Sequence, residues 1–276
     1  MTPHRSDSRG TDVLAPFVFE HARIRGSRVQ LDRTSRSIVA CHPYPASLAR
    51  ALAELLAASA LLASSLKLHG SLAVQLSSDG PVRLLVVECG GDLVLRATAQ
   101  WDDAQVAALP PDAPLAVLAG GSARGRLTLT LDSRDTGTLY QGIVALETTS
   151  VASSIEHYLA TSEQLPSRLW LDAGADGAVH GLLLQRLPGN DEPDAATWER
   201  ITGDADTRAA HSAAHHSPAD ALRALFPHDD VRMFDERAVT FACKCSLERV
   251  ERALRIAGRD EIEAAIAERG IVDVTC

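Results

Sequence analysis

The chain has 276 residues, 46% hydrophobic and 23% charged, a balance that can build a packed core and excludes wholesale disorder, collagen and a disulfide scaffold. Lys and Arg number 27 against 36 Asp and Glu, a formal net charge of -9. With no basic run to neutralise phosphates, nucleic acid is not an expected partner. The first residues lack the apolar stretch of a secretory signal. The uncharged part of the most apolar segment, Leu55 to Leu66, falls short of the roughly 20 residues a membrane span needs, so no membrane is expected and a reducing cytoplasm is.

Residues 1–15 read as a flexible leader. Phe17 to Leu31 alternates loosely and predicts strand–turn–strand, with Gly26 as the break. Pro43 and Pro45 close a loop, and Ala46 to Lys67 is a largely buried helix. Alternation over Leu72–Leu76, Val82–Cys89, Leu93–Trp101, Leu127–Leu131 and Leu139–Leu146 predicts an antiparallel meander, with Asp79-Gly80 and Gly90-Gly91 as turns. A helix around Ser154–Thr161 and strands at Arg168–Asp172 and Ala178–Leu187 complete an α+β domain over residues 16–187.

At Pro188 the composition turns to Asp, Ala, His, Thr and Pro. Residues 188–230 are expected to form a metastable linker whose helical pieces, near Ala195–Ile201 and Ala219–Phe226, have little to bury and can open locally. Residues 231–276 form a small unit. A strand over Ala238–Cys243 leads to Cys243-Lys244-Cys245. Ser246 caps a helix over Leu247–Ala257 stopped by Gly258. Asp260 and Glu263 have capping-box spacing for a second helix ending at Gly270, and a short strand from Ile271 delivers Cys276. A unit this small needs a metal or another staple.

The chemistry concentrates at that end. Five cysteines, an odd number, in a reducing compartment point to metal binding, redox chemistry or packing rather than a disulfide framework. Thiolates are zinc ligands, and a C-x-C pair with a distant third cysteine can supply part of a tetrahedral site; three cysteines that merely pack remain the alternative. His211, His215 and His216 read as solvated linker histidines. His228, nearer the cysteines, is the more plausible substitute fourth donor. Cys41 beside His42 reads as a buried or half-buried small side chain rather than a nucleophile with its base, because neighbours on an extended chain point apart. Cys89 reads as packing, and Ser153 and Ser154 as helix caps. Gly120–Gly125 lacks the Lys-Ser/Thr of a phosphate loop. No motif of a known catalytic centre occurs, so an enzyme is not expected.

Several segments in order resemble the heat shock protein 33 family of redox-regulated holdase chaperones. They are Ala53-Glu54-Leu55-Leu56, Val74-Gln75-Leu76-Ser77-Ser78-Asp79-Gly80-Pro81, Tyr140-Gln141-Gly142, Ser162-Glu163-Gln164-Leu165-Pro166, and Cys243-Lys244-Cys245 with Cys276. The resemblance implies an α+β chaperone domain with antiparallel sheets, a helical linker and a C-terminal zinc domain. It implies one Zn2+ per chain in the reduced, inactive state, held by Cys243, Cys245, Cys276 and a fourth cysteine. Oxidation would release the metal, join Cys243 to Cys245, and join Cys276 to the fourth. The linker and zinc domain would then unfold, a homodimer would form, and unfolding client proteins would be held without ATP.

The family pattern places the fourth cysteine three positions beyond Cys276, outside this sequence, so a clipped chain is expected. Two readings from other classes compete: a thiol-disulfide oxidoreductase using Cys243 and Cys245, and a zinc-stabilised adaptor.

Overall fold

The computed structural model describes residues 12–66, 69–121, 124–135, 137–146, 150–189, 192–212, 217–242 and 247–271. The chain divides into two compact units, with the boundary between Phe241 and Ala242.

The first unit begins with β1 (Val13–Phe19) and β2 (Ile24–Leu31), antiparallel neighbours. The expected leader therefore reaches too far: Leu14 and Ala15 are already buried in β1. Gly26 is also not the break between strands. It sits inside β2, opposite Phe17 on one side and Leu184 on the other. A Cβ there would lie 2.2 Å from the Phe17 ring and 2.8 Å from Leu184 Cδ2, so the missing side chain is what lets the Phe17 ring lie over the sheet. Gly26→Val should cost about 3 kcal/mol, at the upper end for overpacking a core. A denaturant curve of the variant showing no loss would contradict this packing.

Next come α1 (Arg33–Val39) and α2 (Ala46–Ser65). Helix α1 is not evident from the sequence. Its first amides are capped from a distance, by the Asp12 carboxylate, which accepts from Thr34 N and Thr34 Oγ1, both at 2.9 Å. Helix α2 is rich in Ala and Leu and buried on nearly every side. Ser59, fully buried, donates back to the Leu55 carbonyl at 2.7 Å, which satisfies its hydroxyl inside the core. By length and composition α2 could cross a membrane, but 78% of its apolar window is buried inside this fold. It is the central core helix.

The meander follows as β3 (Gly70–Ser78), β4 (Val82–Gly90) and β5 (Val94–Trp101). Two short helices, α3 (Asp103–Ala107) and α4 (Leu115–Leu118), precede β6 (Gly125–Ser133) and β7 (Thr138–Ala145). Next are α5 (Val151–Thr161), β8 (Ser167–Ala173) and β9 (Val179–Arg186). Ser150, not Ser153 or Ser154, caps α5. Its hydroxyl accepts from Ser153 N while Ser153 Oγ accepts from Ser150 N, a capping box built from two serines. The Ser154 hydroxyl instead donates to Ser150 O.

The segment expected to be a weakly folded linker supplies α6 (Glu192–Ser212) and α7 (Pro218–Leu225). It is followed by β10 (Val231–Met233), β11 (Arg237–Ala238) and β12 (Thr240–Phe241). One sheet runs β10-β1-β2-β9-β8, with β11 also on β1, and the second runs β12-β5-β4-β3-β6-β7. All of these pairings are antiparallel except β12 on β5. Helix α2 lies between the sheets, packed on β2, β8 and β9 at one side and on β3, β4 and β5 at the other. The fold is thus mixed α and β with antiparallel sheets and a buried helix between them.

Strands β10 to β12 belong to this first unit, although the sequence groups them with the cysteines. The reason is pairing: Val231–Met233 extends β1, and Thr240–Phe241 extends β5.

The second unit contains α8 (Leu247–Ala257) and α9 (Arg259–Arg269), which pack on one another. Gly258 (φ +89°) ends α8, and Gly270 (φ +76°) closes α9 in the left-handed conformation that glycine adopts without penalty. The capping box expected from Asp260 and Glu263 does not form. Gly258 occupies the N-cap, and Glu263 instead accepts from Arg259 Nε at 2.6 Å.

Candidate functional site

Two features could carry function, one in each unit. The first is an apolar layer on the face of the β1–β2–β9 sheet opposite α2. Phe17, Phe19, Ile24, Leu182 and Leu184 from the strands are buried there with Ile201 and Ala205 of α6 and with Leu222, Leu225 and Phe226 at α7. The rings of Phe19 and Phe226 meet edge to face with centroids 5.0 Å apart, a favoured aromatic geometry.

The helices cover this face with few residues. Ile201 and Ala205 are one turn apart on α6, and Leu222 and Leu225 are three apart on α7, so each helix presents a single short stripe. That sparseness made the segment look unable to bury anything. The stripes suffice because the opposing sheet surface is dense in Phe and Leu.

Polar contacts fix the cover at its rim. Asp206 of α6 accepts from Arg168 Nη2 at 2.8 Å and from Trp170 Nε1 at 2.9 Å, both on β8. Arg200 grips the Asp229 carboxylate with both terminal nitrogens, which raises its own pKa. Arg208 donates to the Leu225 carbonyl at the end of α7 at 3.0 Å, a favourable place for a cation. These contacts are largely solvent-exposed, so each adds little on its own. None of the residues in this layer stood out in the sequence. The only signal was the helical spacing of Leu222 with Leu225 and of Ile201 with Ala205.

The second feature is the cysteine unit. Across its described residues no side chain reaches the buried class; Leu247, Ile256 and Ile271 are 75%, 80% and 61% exposed. Two helices without a buried core are too little to be stable unaided. Cys243, Cys245 and Cys276 lie outside the described residues, as do His215 and His216. His211 falls at the end of α6, and His228 is exposed after α7. Among the described residues no group of three or more His, Cys, Asp or Glu could hold a metal.

The remaining cysteines are bystanders by environment. Cys89 is buried in β4, and burial, reinforced by the nearby Asp92 carboxylate, pushes its thiol up to about 12. Cys41 is exposed after α1 and not buried or half-buried as expected, its Sγ 3.3 Å from the Ser37 carbonyl. Since the thiolate is the reactive form, alkylation of the folded protein at pH 8 should label Cys41 and leave Cys89 unmodified until denaturant is added. Rapid labelling of Cys89 in the native state, read by peptide mass, would contradict its placement.

Residues 12–276 match the Hsp33 protein family. The chain belongs to the Hsp33 family. It is 40% identical to the 33 kDa chaperonin of Methylobacillus flagellatus, over 96% of this chain and 88% of that one. It is 39% identical to the 33 kDa chaperonin of Nitrosococcus oceani, with the same coverage of each. Among solved structures, the 33 kDa chaperonin of Thermotoga maritima has the same fold, with a TM-score of 0.75 at 20% identity, covering 96% of this chain and 91% of that one. Hsp33 membership makes the chain a chaperone, a class that works by binding proteins, and not an enzyme. The competing oxidoreductase reading gains no support from it.

Proposed function

We propose that this Hsp33 chain is a redox-regulated, ATP-independent holdase of the cytoplasm, inactive when reduced and active when oxidised. The observation that carries the reading is the apolar sheet face under α6 and α7, held closed by a thin cover. Uncovered, such a face favours association with other apolar surfaces, including those of unfolding proteins.

The cysteine unit would control the cover. Cys243, Cys245 and Cys276 are three soft donors suited to zinc, with a further cysteine as fourth ligand in the family pattern. Bound zinc would supply the folding free energy that the α8–α9 pair lacks. Oxidation by a peroxide would join Cys243 to Cys245. The two sulfurs give up two electrons, and the peroxide oxygens leave as water. Cys276 would pair in the same way with the fourth cysteine. Disulfide sulfurs are poor zinc ligands, so the metal would leave and the unit would lose its staple. The short stripes on α6 and α7 would then open at modest cost, exposing the face to clients and to a second copy, so the oxidised protein would be a homodimer.

The test is light scattering by a heat-unfolded model protein, with no nucleotide added, in the presence of the reduced or the peroxide-treated chain, with zinc counted per chain in each state. Suppression of scattering only after oxidation, accompanied by zinc loss, is expected. Equal suppression in both states would remove the redox control and leave a constitutive chaperone.

A further inference from the structure

On its inner side the β1–β2–β9 sheet extends past the end of α2 at Ser65. The space left there is a cavity of about 450 Å3, well within the size range of small-molecule pockets. Its walls are mainly apolar, with Pro16 and Val18 of β1, Leu183 of β9, Leu187 and Phe234 among them. The polar groups are Ser27, Ser64, Ser65, Gln185 and two arginines, so the charged groups are of one sign. Arg25 and Arg237 both line it, and among the described residues no Asp or Glu does.

Arg25 lies beside Val18 on one strand and Gln185 on the other. Its Nε donates to Gln185 Oε1 at 3.0 Å. Gln185 is only 1% exposed and is held in turn by the Ser167 hydroxyl. A neutral amide thus orients the guanidinium, and no described carboxylate pairs with it. Arg237 donates to a carbonyl, Gly91 O, at 2.6 Å. Burial lowers the pKa of Arg25, as expected for a partly desolvated cation without a counter-charge. Such a group gains from an anion more than an exposed arginine would, and its planar fork matches a carboxylate. The apolar walls require the rest of the ligand to be hydrocarbon.

We propose that this cavity is a binding site for a small aliphatic carboxylate, with the carboxylate on Arg25 and Arg237 and the chain along Val18, Leu183 and Phe234. The site lies on the other side of the sheet from the apolar face under α6 and α7, with Phe17 bordering both, and it does not depend on the redox reading.

The experiment is calorimetric titration of the reduced full chain with sodium decanoate below its micelle concentration, with decanol and inorganic phosphate as controls. One decanoate per chain is expected, with decanol and phosphate each at least about tenfold weaker, because each lacks one half of the match. Arg25→Gln should weaken decanoate about tenfold. Should that variant unfold, Ser64→Leu, which fills the cavity from the end of α2, should abolish binding with the arginines intact.

Decanol binding as well as decanoate would overturn the role of the arginines. Phosphate binding as well as decanoate would reduce the site to a simple anion site. Decanoate binding unaffected by both variants would place it elsewhere, and absence of saturable binding would refute the site.

Discussion

Replacing Cys243 or Cys245 with Ser should abolish zinc binding and unfold residues 247–271 while leaving the first unit intact. The α8–α9 pair has no buried side chain among its described residues, so almost nothing else opposes the conformational entropy of ordering it. Structural zinc contributes about 10–16 kcal/mol to comparable small units, far more than helix propensity and the exposed Arg252–Glu248 and Arg259–Glu263 pairs can supply. Helical circular dichroism should fall in the variants to the extent expected from losing α8 and α9, and zinc per chain should fall to zero. The cooperative transition of the first unit should remain, since its core around α2 is complete without the second. Loss of that transition would mean that the division at Phe241 does not mark an independent fold.

The second large effect should come from the cover. Phe226 is 2% exposed and packs on both Phe17 and Phe19. Truncation to Ala removes the centre of the small cluster, and comparable Phe deletions cost about 3–5 kcal/mol. The cover has only short stripes and exposed polar contacts with which to offset that loss. Phe226→Ala should therefore suppress client aggregation in the reduced, zinc-bound state and bind a hydrophobic dye strongly, with no oxidant present. Asp206→Ala, which frees Arg168 and Trp170, should act in the same direction but weakly. If the reduced Phe226→Ala protein stays inactive while its dye binding rises, the face under α6 and α7 is exposed but is not where clients bind.

The sequence was most legible where one period dominates. The alternation at Leu72–Leu76 and Leu127–Leu131 and the Ala/Leu run of α2 reappear as strands and a helix close to the expected bounds. Legibility failed where the determining partner is far away. Asp12 caps α1 across the two intervening strands, β1 and β2, so nothing local announces that helix. Gly26 looked like a turn because the reason for it, the Phe17 ring, stands on the neighbouring strand. The cover over the sheet was missed for the same reason. Helices α6 and α7 are polar by composition, and their burial is set in large part by Phe17 and Phe19, far from them in sequence. The family membership accords with the order of short segments that suggested it.

Residues 231–241 have a topological property beyond packing. Strand β10 closes the outer edge of one sheet on β1, and β12 closes an edge of the other on β5, each through a register of only two or three residues. One short run of chain therefore seals a border of both sheets, and it leads directly into Ala242 and the cysteines. Strands this short should fray from Phe241 backwards, and amide exchange should be faster there than anywhere in β2 to β4. Peeling them away would leave β1 and β5 with rows of unpaired backbone donors and acceptors. The protein would then offer extended polypeptides a main-chain template indifferent to their sequence, in addition to any apolar surface.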